Sequence, residues 1–244
     1  MNENDIIAEL YKIKNDKLAE HHQKFFKTFK GGYGEGDLIL GLTASQIRSV
    51  IKKYKNIDYN TVEKLLQNKY HEARLFALYF LTDKAKKCRN VNDLDIIVRL
   101  YIKNIKHINN WDLVDISCSY IIGKYCFLKG NNDIIYNFSD CKYNVNKNVL
   151  TNLWCERISV VSCMYLIKNG QFDTILELCD KFLSHKHDLI HKACGWMLRE
   201  VGKKNIQVLY NYLDKNYYKM PRTMLRYSVE KLPKDKQKIY MARY

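Results

Sequence analysis

From Thr43 onward the chain is a procession of segments whose apolar residues recur at three- and four-residue spacing. No convincing run of strand-like alternation interrupts them. Thr43-Ala44-Ser45-Gln46 has the pattern of a capping box and opens a helix through Tyr54. Further helices are expected over about 59–68, 70–87, 92–107, 111–127, 131–139, 148–168, 171–184, 188–202, 205–215 and 221–231. Residues 3–30 read as a polar first helix running into Lys24-Phe25-Phe26-Lys27-Thr28-Phe29-Lys30, where aromatics and lysines interleave. Such a stretch can stack on and neutralise a nucleic-acid strand, although packed phenylalanines with solvated lysines are the commoner explanation.

Several helices vary one theme. His71-Glu72-Ala73-Arg74-Leu75-Phe76-Ala77-Leu78, Trp154-Cys155-Glu156-Arg157-Ile158-Ser159-Val160-Val161 and Met224-Leu225-Arg226-Tyr227-Ser228-Val229 each set a polar or arginine position against an apolar stripe. With the helices around Asp115 and Trp196 they recur roughly every 35 to 45 residues, the period of a two-helix HEAT or armadillo repeat. The expected fold is therefore an all-α, HEAT/armadillo-like helical-repeat solenoid with a concave face. Two prolines and ten glycines leave little for a linker, so residues 1–244 are expected to form a single domain.

Lysine and arginine outnumber the acids by 41 to 26, a net charge of +15 that points to a polyanion, most simply nucleic acid. A basic concave face suits a duplex. The abundance of Lys, Asn, Ile and Tyr also fits AT-rich coding, a second source of the same excess. No apolar window is long enough for a membrane span, and Met-Asn-Glu-Asn-Asp is no signal peptide, so a cytoplasmic protein is expected. Nothing demands more than a monomer.

The eight cysteines never form a Cys-x-x-Cys pair and several fall on apolar helix positions. They read as reduced core residues, with no metal site and no cofactor expected. His187 and His191 stand four apart but lack an evident third ligand; capping or surface roles fit them better. Gly31-Gly32-Tyr33-Gly34-Glu35-Gly36-Asp37 lacks the Gly-Lys-Ser/Thr ending of a P-loop, yet its backbone can approach a neighbour closely.

The most informative stretch is Ile108-Asn109-Asn110-Trp111-Asp112-Leu113-Val114-Asp115. Asn110 is a suitable N-cap, and Asp112 complements the positive helix end. Trp111 and Asp115, four apart, share a face. With Val114, Cys118, Ile121 and Tyr125 as the buried stripe, they fall on its shoulder, where a carboxylate is partly desolvated yet within reach of a ligand. A solvated Asp beside a packing Trp is the plainer alternative. Similarly, Arg157 flanks the stripe Trp154, Ile158, Val161 and Tyr165, with an internal ion pair as its alternative, while Trp196 sits opposite Ile190, Ala193, Met197 and Val201 beside Lys192 and Arg199.

In order along the chain, Gly34-Glu35-Gly36-Asp37, His71-Glu72-Ala73-Arg74, Trp111-Asp112-Leu113-Val114-Asp115, Trp154-Cys155-Glu156-Arg157, Gly195-Trp196-Met197-Leu198-Arg199-Glu200 and Met220-Pro221-Arg222-Thr223-Met224-Leu225-Arg226-Tyr227 resemble the DNA alkylation repair glycosylases of the AlkD type. The resemblance implies a glycosylase that releases cationic N3- or N7-alkylated purines from duplex DNA without flipping them into a pocket. It implies Asp115 as the catalytic carboxylate, Trp111 and Trp196 as lesion contacts, and Arg157 as a phosphate ligand. Lys27, Arg48, Lys192 and Arg199 are further candidates for phosphate contacts. One departure is Asn110-Trp111, where the family often carries paired tryptophans. A non-catalytic HEAT-repeat protein that binds bent or branched DNA is the alternative, and a protein-binding scaffold is a third reading that leaves the charge unused.

Overall fold

A computed structural model describes residues 2–54, 56–143 and 149–242, apart from the side chains of 149–151. Among the described residues the regular structure is all helical, with no strand; a lone parallel bridge joins Leu38 to Tyr70. None of their helices is long and apolar enough to cross a membrane. The all-α helical-repeat class expected from the periodicity is what the chain adopts. It divides into two compact units, Met1–Ser117 and Cys118–Tyr244.

The first unit contains α1 (Glu3–Lys12), α2 (Asp16–Phe25), α3 (Ala44–Lys53), α4 (Tyr59–Leu66), α5 (His71–Lys87), α6 (Val91–Lys103) and most of α7 (Trp111–Cys118). Its centre is α5, where His71 to Thr82 are buried without a gap. A helix apolar on all sides must be surrounded, and α5 packs against α1, α3, α4 and α6. Thr43 begins α3 with the expected reciprocal capping box to Gln46. The single helix expected over 3–30 is instead two. Asn15 separates them: its side-chain oxygen accepts the Leu18 N–H, and its backbone N–H donates to the Leu40 carbonyl at 3.0 Å.

The second unit contains α8 (Lys124–Lys129), α9 (Asp133–Ser139), α10 (Val149–Lys168), α11 (Asp173–Lys181), α12 (Asp188–Lys204), α13 (Ile206–Asn216), α14 (Arg222–Val229) and α15 (Lys234–Met241). The helix expected over 111–127 is interrupted by a π-helical turn at Ser119–Gly123. A Cβ on Gly123 would lie 2.1 Å from the Ser162 carbonyl oxygen of α10, so only glycine permits that approach. α10 is the central helix here, packed by α9, α11 and α12. α15 was not foreseen; it starts after Pro233 and is held by Tyr240, whose hydroxyl donates to Asp214 at 2.7 Å.

The apolar stripes place their side chains as expected. Val114, Cys118, Ile121 and Tyr125 are buried, as are Ile190, Ala193, Met197 and Val201. Of the Trp154 stripe, Tyr165 alone is only half-buried. All eight cysteines are free thiols, six of them buried.

A second close approach in this unit is at Gly195, where a Cβ would lie 2.4 Å from the Met224 carbonyl oxygen and 2.6 Å from the Tyr227 Cβ. Gly195→Ala should therefore lower stability by about 2 kcal/mol despite alanine's better helix propensity. Urea unfolding would read this as a reduced midpoint at unchanged slope; an unchanged midpoint would contradict the close packing of α12 on α14.

Candidate active site

The start of α7 is clamped from several sides within the first unit. Asn110 is fully buried; its amide donates to the Phe26 carbonyl at 3.1 Å, and its side-chain oxygen accepts the Trp111 N–H at 2.9 Å. The glycine-dense loop makes this possible. A Cβ on Gly34 would lie 2.5 Å from the Phe26 carbonyl oxygen and 3.0 Å from the Asn110 amide nitrogen, so the close backbone approach expected of this loop is made to the start of α7. The Trp111 ring packs beside the Ala19, Phe26 and Ile39 cluster, with Phe25 edge-on at 5.3 Å and Phe26 at 5.7 Å between ring centroids. Of the interleaved aromatics, Phe26 is core while Phe25 and Phe29 are more than half exposed.

A buried ionic network holds the same region. His71 Nε2 lies 2.8 Å from a carboxylate oxygen of Asp112, and its Nδ1 lies 3.4 Å from Asp37. Arg74 pairs with that Asp37 carboxylate and donates to the Asn68 carbonyl at 2.8 Å, while Asn109 donates to the other Asp37 oxygen at 2.9 Å. Burial by itself would push the His71 pKa down, but Asp112 and then Asp37 outweigh it and raise the pKa to about 9. His71 is therefore an imidazolium at neutral pH. Burial likewise opposes ionisation of Asp37, yet His71, Arg74 and Asn109 hold its pKa below the usual carboxylate value. Next to His71, Glu72 accepts three successive backbone N–H groups, from Leu40 and Gly41 at 2.9 and 2.8 Å and from Leu42 at 3.3 Å. These charge-assisted bonds fasten the loop to α5.

On this anchored start, Trp111 and Asp115 are both half-buried and one turn apart, as the helical spacing requires. Such a carboxylate acts electrostatically on an adjacent ligand more strongly than a fully hydrated one. Of the other first-unit candidates, Arg48 is exposed, 4.0 Å over the Tyr79 ring and 3.8 Å from Asp83. Lys27 is exposed with positive φ (50°), its ammonium 5.4 Å over the Tyr33 ring.

The remaining candidates belong to the second unit. Arg157 is buried rather than on a flank, because its guanidinium donates to the Leu189 carbonyl in the first turn of α12 at 2.6 Å. Trp196 on α12 is half-buried. Lys192 pairs with Asp188 at 2.6 Å, and Arg199 with Glu230, so a phosphate at either must compete with a carboxylate. His187 caps α12 by accepting the Leu189 N–H at 3.1 Å. Among the described residues no cluster of three His, Cys, Asp or Glu side chains is placed to share a cation.

Along the sequence, His71, Glu72 and Arg74 stand out only as parts of a motif. The signal for their roles was the burial of three ionisable residues at the head of an otherwise apolar helix, which requires partners. Residues 6–232 match the model of the family described as DNA alkylation repair enzyme. Among solved structures, a predicted DNA alkylation repair enzyme from Enterococcus faecalis has the same fold: TM-score 0.66 at 15% identity, covering 91% of this chain and 97% of that one. No curated protein matches the sequence.

The charge network sets a pH window for stability. His71's folded pKa lies above its usual 6.5, so its contribution is complete below pH 6.5 and disappears as pH rises through about 9, a loss of about 3 kcal/mol. Asp37's pKa is lowered, so its contribution holds above pH 3.8 and fades as pH falls further. Urea-unfolding free energies measured from pH 4 to 10 should show a plateau that declines above pH 6.5. An alkaline limb as flat in the wild type as in His71→Gln would be incompatible with a buried imidazolium.

Proposed function

Because the chain belongs to the DNA alkylation repair enzyme family, we propose that it is a DNA glycosylase hydrolysing the N-glycosidic bond of N3- or N7-alkylated purines in duplex DNA. The observation that carries this reading is the half-buried pair Trp111 and Asp115 on one face of a helix whose first turn is rigidly anchored. With duplex DNA as partner, residues 1–244 act as one repair domain, monomeric and needing no metal or cofactor.

An N3- or N7-alkylated purine carries a positive charge and leaves easily. When its bond to C1′ breaks, the bonding electrons neutralise the base and positive charge develops on the deoxyribose. Asp115 stabilises that oxocarbenium character and orients the water whose oxygen bonds to C1′, the released proton passing to solvent. Trp111 offers its electron-rich face to the cationic lesion, worth roughly 0.5 to 2 kcal/mol, and Trp196 is assigned the same kind of contact. Arg157, although buried, is assigned to a backbone phosphate through its charge. Its contact with the Leu189 carbonyl would fix the guanidinium's direction. Lys27, Arg48, Lys192 and Arg199 would add weaker phosphate contacts that fade with salt.

This chemistry needs a leaving group that is already activated. Neutral damaged bases such as uracil and hypoxanthine should therefore remain bonded, since no proton donor is assigned to the base. In single-turnover release from methylated duplex DNA, Asp115→Asn should lose about 100-fold or more in rate while retaining duplex affinity. Wild-type protein that releases no methylpurine but binds DNA tightly and with steep salt dependence would instead be a DNA-structure binder.

A further inference from the structure

His71 is tied to the start of α7 by three routes. Its Nε2 holds Asp112, the second residue of α7, at 2.8 Å. Its ring stacks on Phe26 at 4.7 Å and 25°, and Phe26 in turn lies against Trp111. A third tie runs through Asp37, which faces His71 Nδ1 and also accepts from Asn109, two residues before the helix. We propose that His71, as the imidazolium, is the positioning residue that sets the Trp111 indole, and with it the first turn of the helix carrying Asp115. The catalytic part of this rests on the glycosylase reading; the coupling of His71 to Trp111 does not.

The argument for the charged form is geometric. Both ring nitrogens face carboxylates, and only the imidazolium has two N–H donors. A neutral ring presents a lone pair to Asp112 or to Asp37, and each of these carboxylates is tied to the start of α7. The charged and titratable groups around the ring are Asp112 on α7, Asp37 in the loop, Arg74 and Glu72 on α5, and His22 on α2. Arg74 already serves Asp37, and Glu72 is occupied by the Leu40 to Leu42 amides. Burial pushes the His22 pKa down, so it adds no competing charge near neutrality. The proton on His71 therefore answers to Asp112 and Asp37, the two carboxylates tied to the start of α7.

The test uses the full chain labelled with 5-fluorotryptophan, the Trp111 resonance being identified by Trp111→Phe. From pH 6 to 10 the wild-type Trp111 resonance should shift with a midpoint near 9, and single-turnover methylpurine release should decline along the same curve. His71→Gln should abolish that titration and slow release at pH 7 by roughly tenfold to a hundredfold, the scale expected when a contact is misplaced. Its duplex affinity should stay within about threefold, separating positioning from lost binding. A wild-type Trp111 resonance that ignores pH, or a folded His71→Gln that releases base at the wild-type rate, would overturn the proposal. If His71→Gln does not fold, the wild-type titration decides alone. A titrating Trp111 in a protein that releases no base would sink the glycosylase reading while upholding the link from His71 to Trp111.

Discussion

The first unit depends on one buried proton. His71 sits between Asp112 and Asp37 in a region with almost no access to water, and both carboxylates are supportable there because the imidazolium joins them. Isolated, any of these charges would be expelled or neutralised, since desolvating an ion costs more than a single weak contact returns. Together with Arg74 and Asn109 they tie three pieces of chain that are distant in sequence: the glycine-rich loop, the head of α5 and the start of α7. An apolar cluster of equal volume could stabilise the same junction. It would not give a side chain at the helix start a defined direction, which hydrogen bonds do.

The loop and α5 are joined a second time by Glu72, whose carboxylate gathers three consecutive backbone N–H groups. Gly41 lies in this segment with φ of 77°, and a Cβ there would meet the Asn15 carbonyl oxygen at 2.2 Å. Loop conformation, the break between α1 and α2, and the acidic residue on α5 are thus parts of one arrangement. Rigidity at the start of α7 matters for the proposed chemistry because electrostatic stabilisation works when the charge is already in place before the bond breaks.

Much of the helical framework was legible along the chain. Apolar spacing marks α10 and α12 nearly to their ends, Thr43 and Gln46 mark the start of α3, and the half-buried position of Trp111 and Asp115 follows from the stripe of Val114 and Cys118. What escaped involves contacts between residues far apart in sequence. The π-helical turn at Ser119–Gly123 accompanies the approach of Gly123 to Ser162, and no local propensity reports that. Arg157 seemed to flank its stripe; a carbonyl on α12 draws it inside. Asn110 looked like an ordinary N-cap, but its amide reaches Phe26, some 84 residues earlier.

The sequence by itself determined an all-helical repeat chain, the residues forming each helix's buried stripe, and a motif set sufficient to suggest its family. Periodicity, capping and composition are local properties, and they need no knowledge of neighbours. Tertiary structure alone decided which polar residues are buried with partners. His71, Glu72 and Arg74 gain their roles from the Asp37 loop and from Asp112, because a charge inside a protein is defined by what lies within a few ångströms of it. Whether His71 carries a proton is therefore settled by residues 34 positions before it and 41 after it.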